Sequence, residues 1–338
     1  MRRTGTLFAV GALIVAATAW GLTVSVGRSS EVLRRSELPD IGFDRTVGSA
    51  RTAVRARWGD AADEVGISYD GETVGPYSFG IDDRDRVYVL DQINRRVVRY
   101  RDGAVEATFS LPGVWCEDIA VSRDRFAVLY RTRTERSILL FDADDGQVAT
   151  LTIDPSAPDP YRVRIIEDEV CIESHDIRGA GFYVIGKLDG STVASETQRT
   201  MKQDGFPTPT GDAITGGVID ENDVRIDVES RDGAPKTRIR MFSKRRFSGI
   251  PEVSGDLRGN VYVAYGLYWE NPKDINDRKG RLVIAKYASD GELVGRVETE
   301  NDWYAEPIRK VVVTPSGEIY HLASDRNGIR ILHWTHGR

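Results

Sequence analysis

Six times the chain repeats one phrase: an apolar run, a polar turn of about five residues, then a second apolar run. The plainest copy is Ser78-Phe79-Gly80-Ile81, Asp82-Asp83-Arg84-Asp85-Arg86, Val87-Tyr88-Val89-Leu90-Asp91. Short runs of Val, Ile, Tyr and Phe bounded by Asp, Gly, Arg and Ser read as strands and turns. No long stretch carries a helical period. Taking the last apolar residue before each turn and the first after it, the hairpins pair Ile81 with Val87, Val121 with Phe126, Ile165 with Val170, Ile219 with Val224, and Val313 with Ile319. The fifth in chain order reaches Val261 after Val253-Ser254-Gly255. A third run follows each hairpin, and a fourth follows several, at Val105 to Leu111, Val148 to Ile153, Thr192 to Ala194 and Leu293 to Val297. Three or four strands per unit, at a period of roughly 40–55 residues, are the mark of propeller blades. The expectation is an all-β, six-bladed β-propeller over residues 51–338. Its sixth unit has three strands, so Thr52 to Trp58 is expected to supply the fourth and close the ring, because closure removes unpaired edges.

Ahead of this domain, Thr4 to Gly27 is 24 residues without a charge, preceded by Arg2-Arg3. Roughly 20 apolar residues span a bilayer, and arginines before the span keep the N-terminus inside. Residues 1–27 are therefore expected to be a single N-terminal transmembrane helix. Residues 28–50 are a polar tether, and the propeller lies in the periplasm or outside the cell. Ala17-Thr18-Ala19 leaves a cleaved signal peptide as the alternative.

Net charge is −6, which argues against a nucleic-acid partner, since phosphate contacts need a basic face. Two cysteines, Cys116 and Cys171, cannot make a disulfide framework. Propeller phase sets them toward opposite faces. The histidines that could meet at a pore, His175 and His321, are too few for an imidazole-rich metal centre. Asp82, Asp118, Asp220 and Asp256 would permit calcium at the pore, without the spacing of a calcium loop. Otherwise no cofactor is expected. The basic run Lys244-Arg245-Arg246 reads as a solvated edge.

The stretch Gly75 to Ile81 through Tyr88-Val89-Leu90-Asp91-Gln92-Ile93-Asn94-Arg95-Arg96-Val97 resembles a blade of the NHL-repeat family. Gly259-Asn260-Val261-Tyr262-Val263 and Pro315 to Tyr320 echo it, whereas blades two to four lack the Asp-x-x-Asn-x-Arg segment. The resemblance implies the propeller fold. Such families include binding scaffolds, ligand sensors and metal-dependent lyases, so it implies no activity. Asp91 and Asn94 are suited to holding a turn through side-chain to backbone bonds.

Function is sought where the repeat is interrupted, at 201–216 and 266–280. Long loops there and between blades carry Tyr268, Trp269, Trp303, Tyr304, Phe206 and Trp115. Aromatics on such loops give large contact area at small entropic cost. These six are the expected protein-binding residues. The expected function is a membrane-anchored, non-catalytic binding or scaffold subunit, with protein partners in a membrane complex. The alternative is a metal-dependent hydrolase or lyase working at the pore.

Overall fold

A computed structural model describes residues 50–69, 71–176, 179–271, 274–300 and 304–335. The expected membrane helix and nearly all of the tether lie outside the described residues. Among those described, no helix is long and apolar enough to cross a membrane.

The first strand, β1 (Arg51–Trp58), and the short β2 (Glu64–Val65) precede the first blade. Blade 1 is β3 (Ser78–Ile81), β4 (Val87–Asp91), β5 (Arg96–Arg101) and β6 (Ala104–Ser110). Blade 2 is β7 (Cys116–Ser122), β8 (Arg125–Arg131), β9 (Arg136–Asp142) and β10 (Gly146–Thr152). Blade 3 is β11 (Arg162–Ile166), β12 (Glu169–Asp176), β13 (Gly179–Lys187) and β14 (Met201–Asp204), with α1 (Ser195–Arg199) before its last strand. Blade 4 is β15 (Phe206–Pro207), β16 (Ala213–Asp220), β17 (Asp223–Glu229) and β18 (Pro235–Phe242). Blade 5 is β19 (Arg246–Gly255), β20 (Val261–Asn271), β21 (Asp274–Tyr287) and β22 (Leu293–Glu300). Blade 6 is β23 (Val311–Val313), β24 (Ile319–Asp325) and β25 (Gly328–Trp334), and β1 joins it antiparallel, Arg51 opposite His333 and Arg57 opposite Gly328. The blades are antiparallel meanders, the short β2 adds in parallel to β1 at the edge of blade 6, and the ring is closed by the strand that comes first among them in the chain.

Five of the six hairpins have the register the repeat predicts, with Ile81 opposite Val87, Val121 opposite Phe126, Ile165 opposite Val170, Gly255 opposite Val261, and Val313 opposite Ile319. The turns explain why the phrase recurs. In blade 1 the Asp82 carboxylate accepts from the Arg84 and Arg86 amides, Asp85 takes a φ of 59°, and the Tyr88 hydroxyl donates to Asp82 at 3.3 Å. In blade 5 Asp256 accepts from the Arg258 and Asn260 amides, Gly259 has φ 79°, and Tyr262 donates to Asp256 at 2.9 Å. Both are Asx-type turns with one left-handed residue, locked by a tyrosine from the next strand.

Four expectations fail, three around blades 3 and 4 and one in blade 5. The hairpin of Ile219 and Val224 joins the second and third strands of that blade, not the first and second, with Val218 opposite Val224. Its first strand is the two-residue β15. The segment 201–216 is therefore not an interruption: it supplies the outer strand of blade 3 and the inner strand of blade 4. The run Thr192 to Ala194 makes only one bridge, Gly186 with Thr192, and then gives way to α1. The segment 266–280 is likewise ladder rather than irregular loop, since β20 and β21 continue to Asn271 opposite Asp274.

The core is divided among the interfaces between blades. One apolar cluster joins blades 6 and 1 through Val54, Ile331, Phe79 and Val89. Another joins blades 4 and 5 through Ile214, Ile226, Val263 and Tyr265. Inner strands approach closely: a Cβ on Gly80 would lie 2.4 Å from Cγ2 of Val121, so only glycine fits there. Between blades 5 and 6 the fully buried His321 lies by Thr299 and Trp334. Burial, with Lys310 and Arg330 nearby, lowers its pKa to about 3. The unfolded imidazole titrates near 6.5, so below that pH the unfolded chain binds a proton the folded one refuses. Stability should thus fall as pH drops from about 6.5 toward 3, by about 2 kcal/mol at pH 5 from this residue. Urea unfolding of the wild type and His321→Gln at pH 7.5 and pH 5 measures it. The variant should lose that much less between the two; equal losses would refute the assignment.

Candidate functional site: an ion-paired channel and its rim

Strands run from one face of the disc to the other. The turns between first and second strands lie on one face, together with Arg51 and the end of β25. The connections between blades, and the turns between second and third strands, lie on the opposite face, here called the rim face. First strands line the central channel.

At the rim end of that channel, side chains reach across it. Arg309, just before β23 in blade 6, donates to Asp118 of blade 2 from Nε at 3.1 Å and Nη2 at 2.5 Å, and to the Val163 carbonyl of blade 3 at 3.1 Å. Asp118 also accepts from Ser78 Oγ of blade 1 at 2.6 Å and the Val163 amide at 2.9 Å. Arg162 of blade 3 pairs with Glu252 of blade 5 at 3.1 Å and donates to the Ile308 carbonyl at 2.7 Å. Arg164 bridges Glu252 at 3.1 Å and Glu173 at 2.8 Å. The contacts of Arg309 with Asp118 and of Arg162 and Arg164 with Glu252 skip blades, which is possible only across the axis. Burial alone would raise the Glu173 carboxyl, but Arg164, His175 and Arg162 hold it below the usual carboxylate range. Three guanidiniums meet three carboxylates, so the cluster is charge-balanced and its hydrogen-bonding capacity is largely used.

His175 sits at this mouth. Its Nε2 lies 2.6 Å from Glu173 Oε1, and its ring lies tilted against Tyr161 with centroids 4.6 Å apart, Tyr161 also facing the Arg162 guanidinium at 4.9 Å. It is therefore not a lone histidine, since a buried carboxylate orients it.

The expected binding residues are spread around the rim face rather than gathered into one patch. Trp115 enters blade 2 and is 57% exposed, so it does not plug a gap. Phe206 in β15 is half-buried against Phe182 and near the Arg164 guanidinium. Tyr304 packs 6.5 Å from both Trp58 and Tyr69. It lines a cleft of about 730 Å³ between blades 5 and 6, with Arg281, Arg326, Arg330, Thr299 and Ser324. Tyr268 and Trp269 lie in the extended hairpin, with backbones opposite Gly280 and Lys279. Trp303 lies outside the described residues.

The acidic residues considered for calcium fall in separate places. Asp82 and Asp256 cap turns on the face opposite the rim, Asp118 holds Arg309, and Asp220 accepts from the Asn222 amide. Among the described residues no group of three or more His, Cys, Asp and Glu is arranged to hold a metal. Cys116 and Cys171 are free, buried thiols, each pushed up to about 12 by burial, Cys116 also by Glu117. Asp91 and Asn94 do more than hold their own turn. Asp91 accepts from the Gly66 amide and Arg96 Nε, and Asn94 donates to the Gly59 carbonyl. They strap the segment after the closing strand onto blade 1. In the basic run, Arg246 pairs with Glu221 across an exposed surface.

The channel cluster was not foreseen as a unit. Its signal was present: Arg162, Arg164 and Glu252 are charges inside or entering first strands, where alternation calls for apolar residues.

No protein-family model matches the chain, and no curated protein matches it. Similar solved structures include the PQQ-bound aldose sugar dehydrogenase of Streptomyces coelicolor, at 11% identity over 88% of this chain and 98% of that one, TM-score 0.47. A member of the DUF4221 family from Bacteroides vulgatus gives 9% identity, 86% and 98% coverage, and TM-score 0.47. YCF48 bound to a D1 peptide gives 11%, 91% and 100%, and 0.43. At these identities and scores the likenesses assign neither an activity nor a partner to this chain.

Proposed function

We propose that this chain is a membrane-anchored, extracytoplasmic propeller that works as a non-catalytic binding or scaffold subunit of a larger membrane assembly. The observation that carries the reading is the channel mouth. Carboxylates there that pore chemistry would draw on are already engaged by Arg162, Arg164 and Arg309. What remains available is the rim face, with Trp115, Tyr304 and Tyr161 exposed and the β20–β21 hairpin extended. The uncharged run Thr4 to Gly27 supports the anchor. The Asp91-x-x-Asn94-x-Arg96 strap supports an NHL-type first blade.

The test is purification of the full chain from its native membrane in mild detergent, followed by native mass determination. A stoichiometric protein partner is expected. A monomer with nothing bound would remove the proposal.

A further inference from the structure

Blade 4 lacks most of its inner strand. The inner strands of blades 1, 2, 3 and 5 have 4, 7, 5 and 10 residues, whereas β15 has 2. It covers only Ala213 and Ile214 of the eight-residue β16. Beyond Thr215, Gly216, Gly217 and Val218 pair with β17 on one side, Ile219 is the extra residue of a bulge before Asp220, and among the described residues none of the four pairs with a strand on the other side. Blade 6 also has a short inner strand, but its lead-in segment substitutes: Leu322 donates to the Lys310 carbonyl and Tyr304 to the Ser324 carbonyl. Among the described residues no such bond serves Gly216–Ile219. Blade 5 flanks only the upper end, where the Phe247 amide donates to the Glu221 carbonyl. All four residues are exposed, Val218 at 41% and Ile219 at 56%.

The glycines add an independent observation. Gly216 is demanded by packing, since a Cβ there would lie 2.3 Å from Ile226 Cδ1. Gly217 is not, because nothing lies within 4 Å of where its Cβ would sit and its φ is not left-handed. Glycine weakens a strand interior, and one that the fold does not require marks a place where another backbone comes close.

We propose that Gly216–Ile219 of β16 is a β-augmentation site that takes an extended peptide segment of a second protein, antiparallel to β16, in the position of the missing inner strand. Main-chain bonds supply the attachment. Val218 and Ile219 are both exposed beside the open edge, so β-branched or aromatic residues on the segment would pack against them, and proline is excluded where an amide must donate. A second copy of this chain does not fit. The open edge faces the channel axis, so two discs cannot bring their recessed edges together, whereas one extended segment can enter at the rim. The inference rests on the binding-scaffold reading only for the existence of such a partner.

The test uses the full chain in mild detergent and a random hexapeptide library displayed on phage. Selected peptides should be proline-poor and rich in Val, Ile, Thr and aromatics. Methylating one main-chain nitrogen that bonds the edge should weaken binding by about ten-fold. Hydrogen exchange at the open-edge amides of Gly216–Ile219 should be fast in the free chain and at least ten-fold slower with peptide bound. Three results would overturn the site: slow exchange at those amides in the free chain, no peptide selected, or peptides that leave the amides fast. If a partner co-purifies yet leaves them fast, this site fails and the scaffold reading stands. If no partner co-purifies but peptides still slow them, the scaffold reading fails and the site stands.

Discussion

Asp118→Ala is expected to lower stability by about 3–5 kcal/mol, the cost of stranding one member of a buried ion pair. Asp118 is fully buried and takes hydrogen bonds from Ser78, Val163 and Arg309, which belong to blades 1, 3 and 6. Removing it leaves the Arg309 guanidinium near the axis with only the Val163 carbonyl among these partners. The loss should be unequal to that of the reverse change. In Arg309→Met the charge disappears, while Asp118 keeps Ser78 and the Val163 amide as donors. The double variant should be more stable than the sum of the single losses predicts, because neither charge is then left alone. Urea unfolding of the four proteins closes the cycle. A loss below about 1 kcal/mol for Asp118→Ala would mean that water or a neighbour takes over the guanidinium, and the pairing across the channel would not be what holds it.

Val54→Asp should be the other severe change. Val54 lies on the closing strand, almost wholly buried among Ile331, Phe79 and Tyr100. A carboxylate there has no cationic partner on its own strand face and must either unseat β1 or stay buried and uncompensated, at about 4 kcal/mol or more. Unseating β1 exposes the outer edge of β25, so aggregation should accompany the loss. Thr52→Asp, two residues away on the exposed part of the strand, should change stability by less than about 0.5 kcal/mol. Thermal melts and the soluble fraction after heating read both. Equal behaviour of the two variants would show that β1 is not needed to hold the ring shut.

Where the fold was legible, a local device wrote it into adjacent residues. Asp82 to Tyr88 and Asp256 to Tyr262 each carry an Asx turn, a left-handed position and a tyrosine lock within seven residues, so they announce their own register. The closing strand was legible for a different reason: a unit short of one strand demands it from elsewhere. Blade 4 was not, because its inner strand is Phe206-Pro207, too short to alternate and containing a residue that cannot donate to a ladder. The neighbouring α1 then displaced the outer strand of blade 3 by several residues. The rim aromatics were readable as loop residues, but not that they would be dispersed around the ring. The channel cluster joins Asp118 to Arg309 across 191 residues, and no pattern shorter than the whole ring contains that information.

The closing strand also decides how the disc bears force. Arg51 stands at one end of β1, and the ladder to β25 runs the length of the strand to Arg57 opposite Gly328. Tension on the segment before Arg51 therefore pulls β1 along its own axis and loads the rungs of that ladder together, in shear, instead of peeling them one at a time. The strap at Asp91 and Asn94 grips the chain just past the far end of the strand. A chain held at Arg51 and drawn from the rim face would bear load along the direction of that ladder.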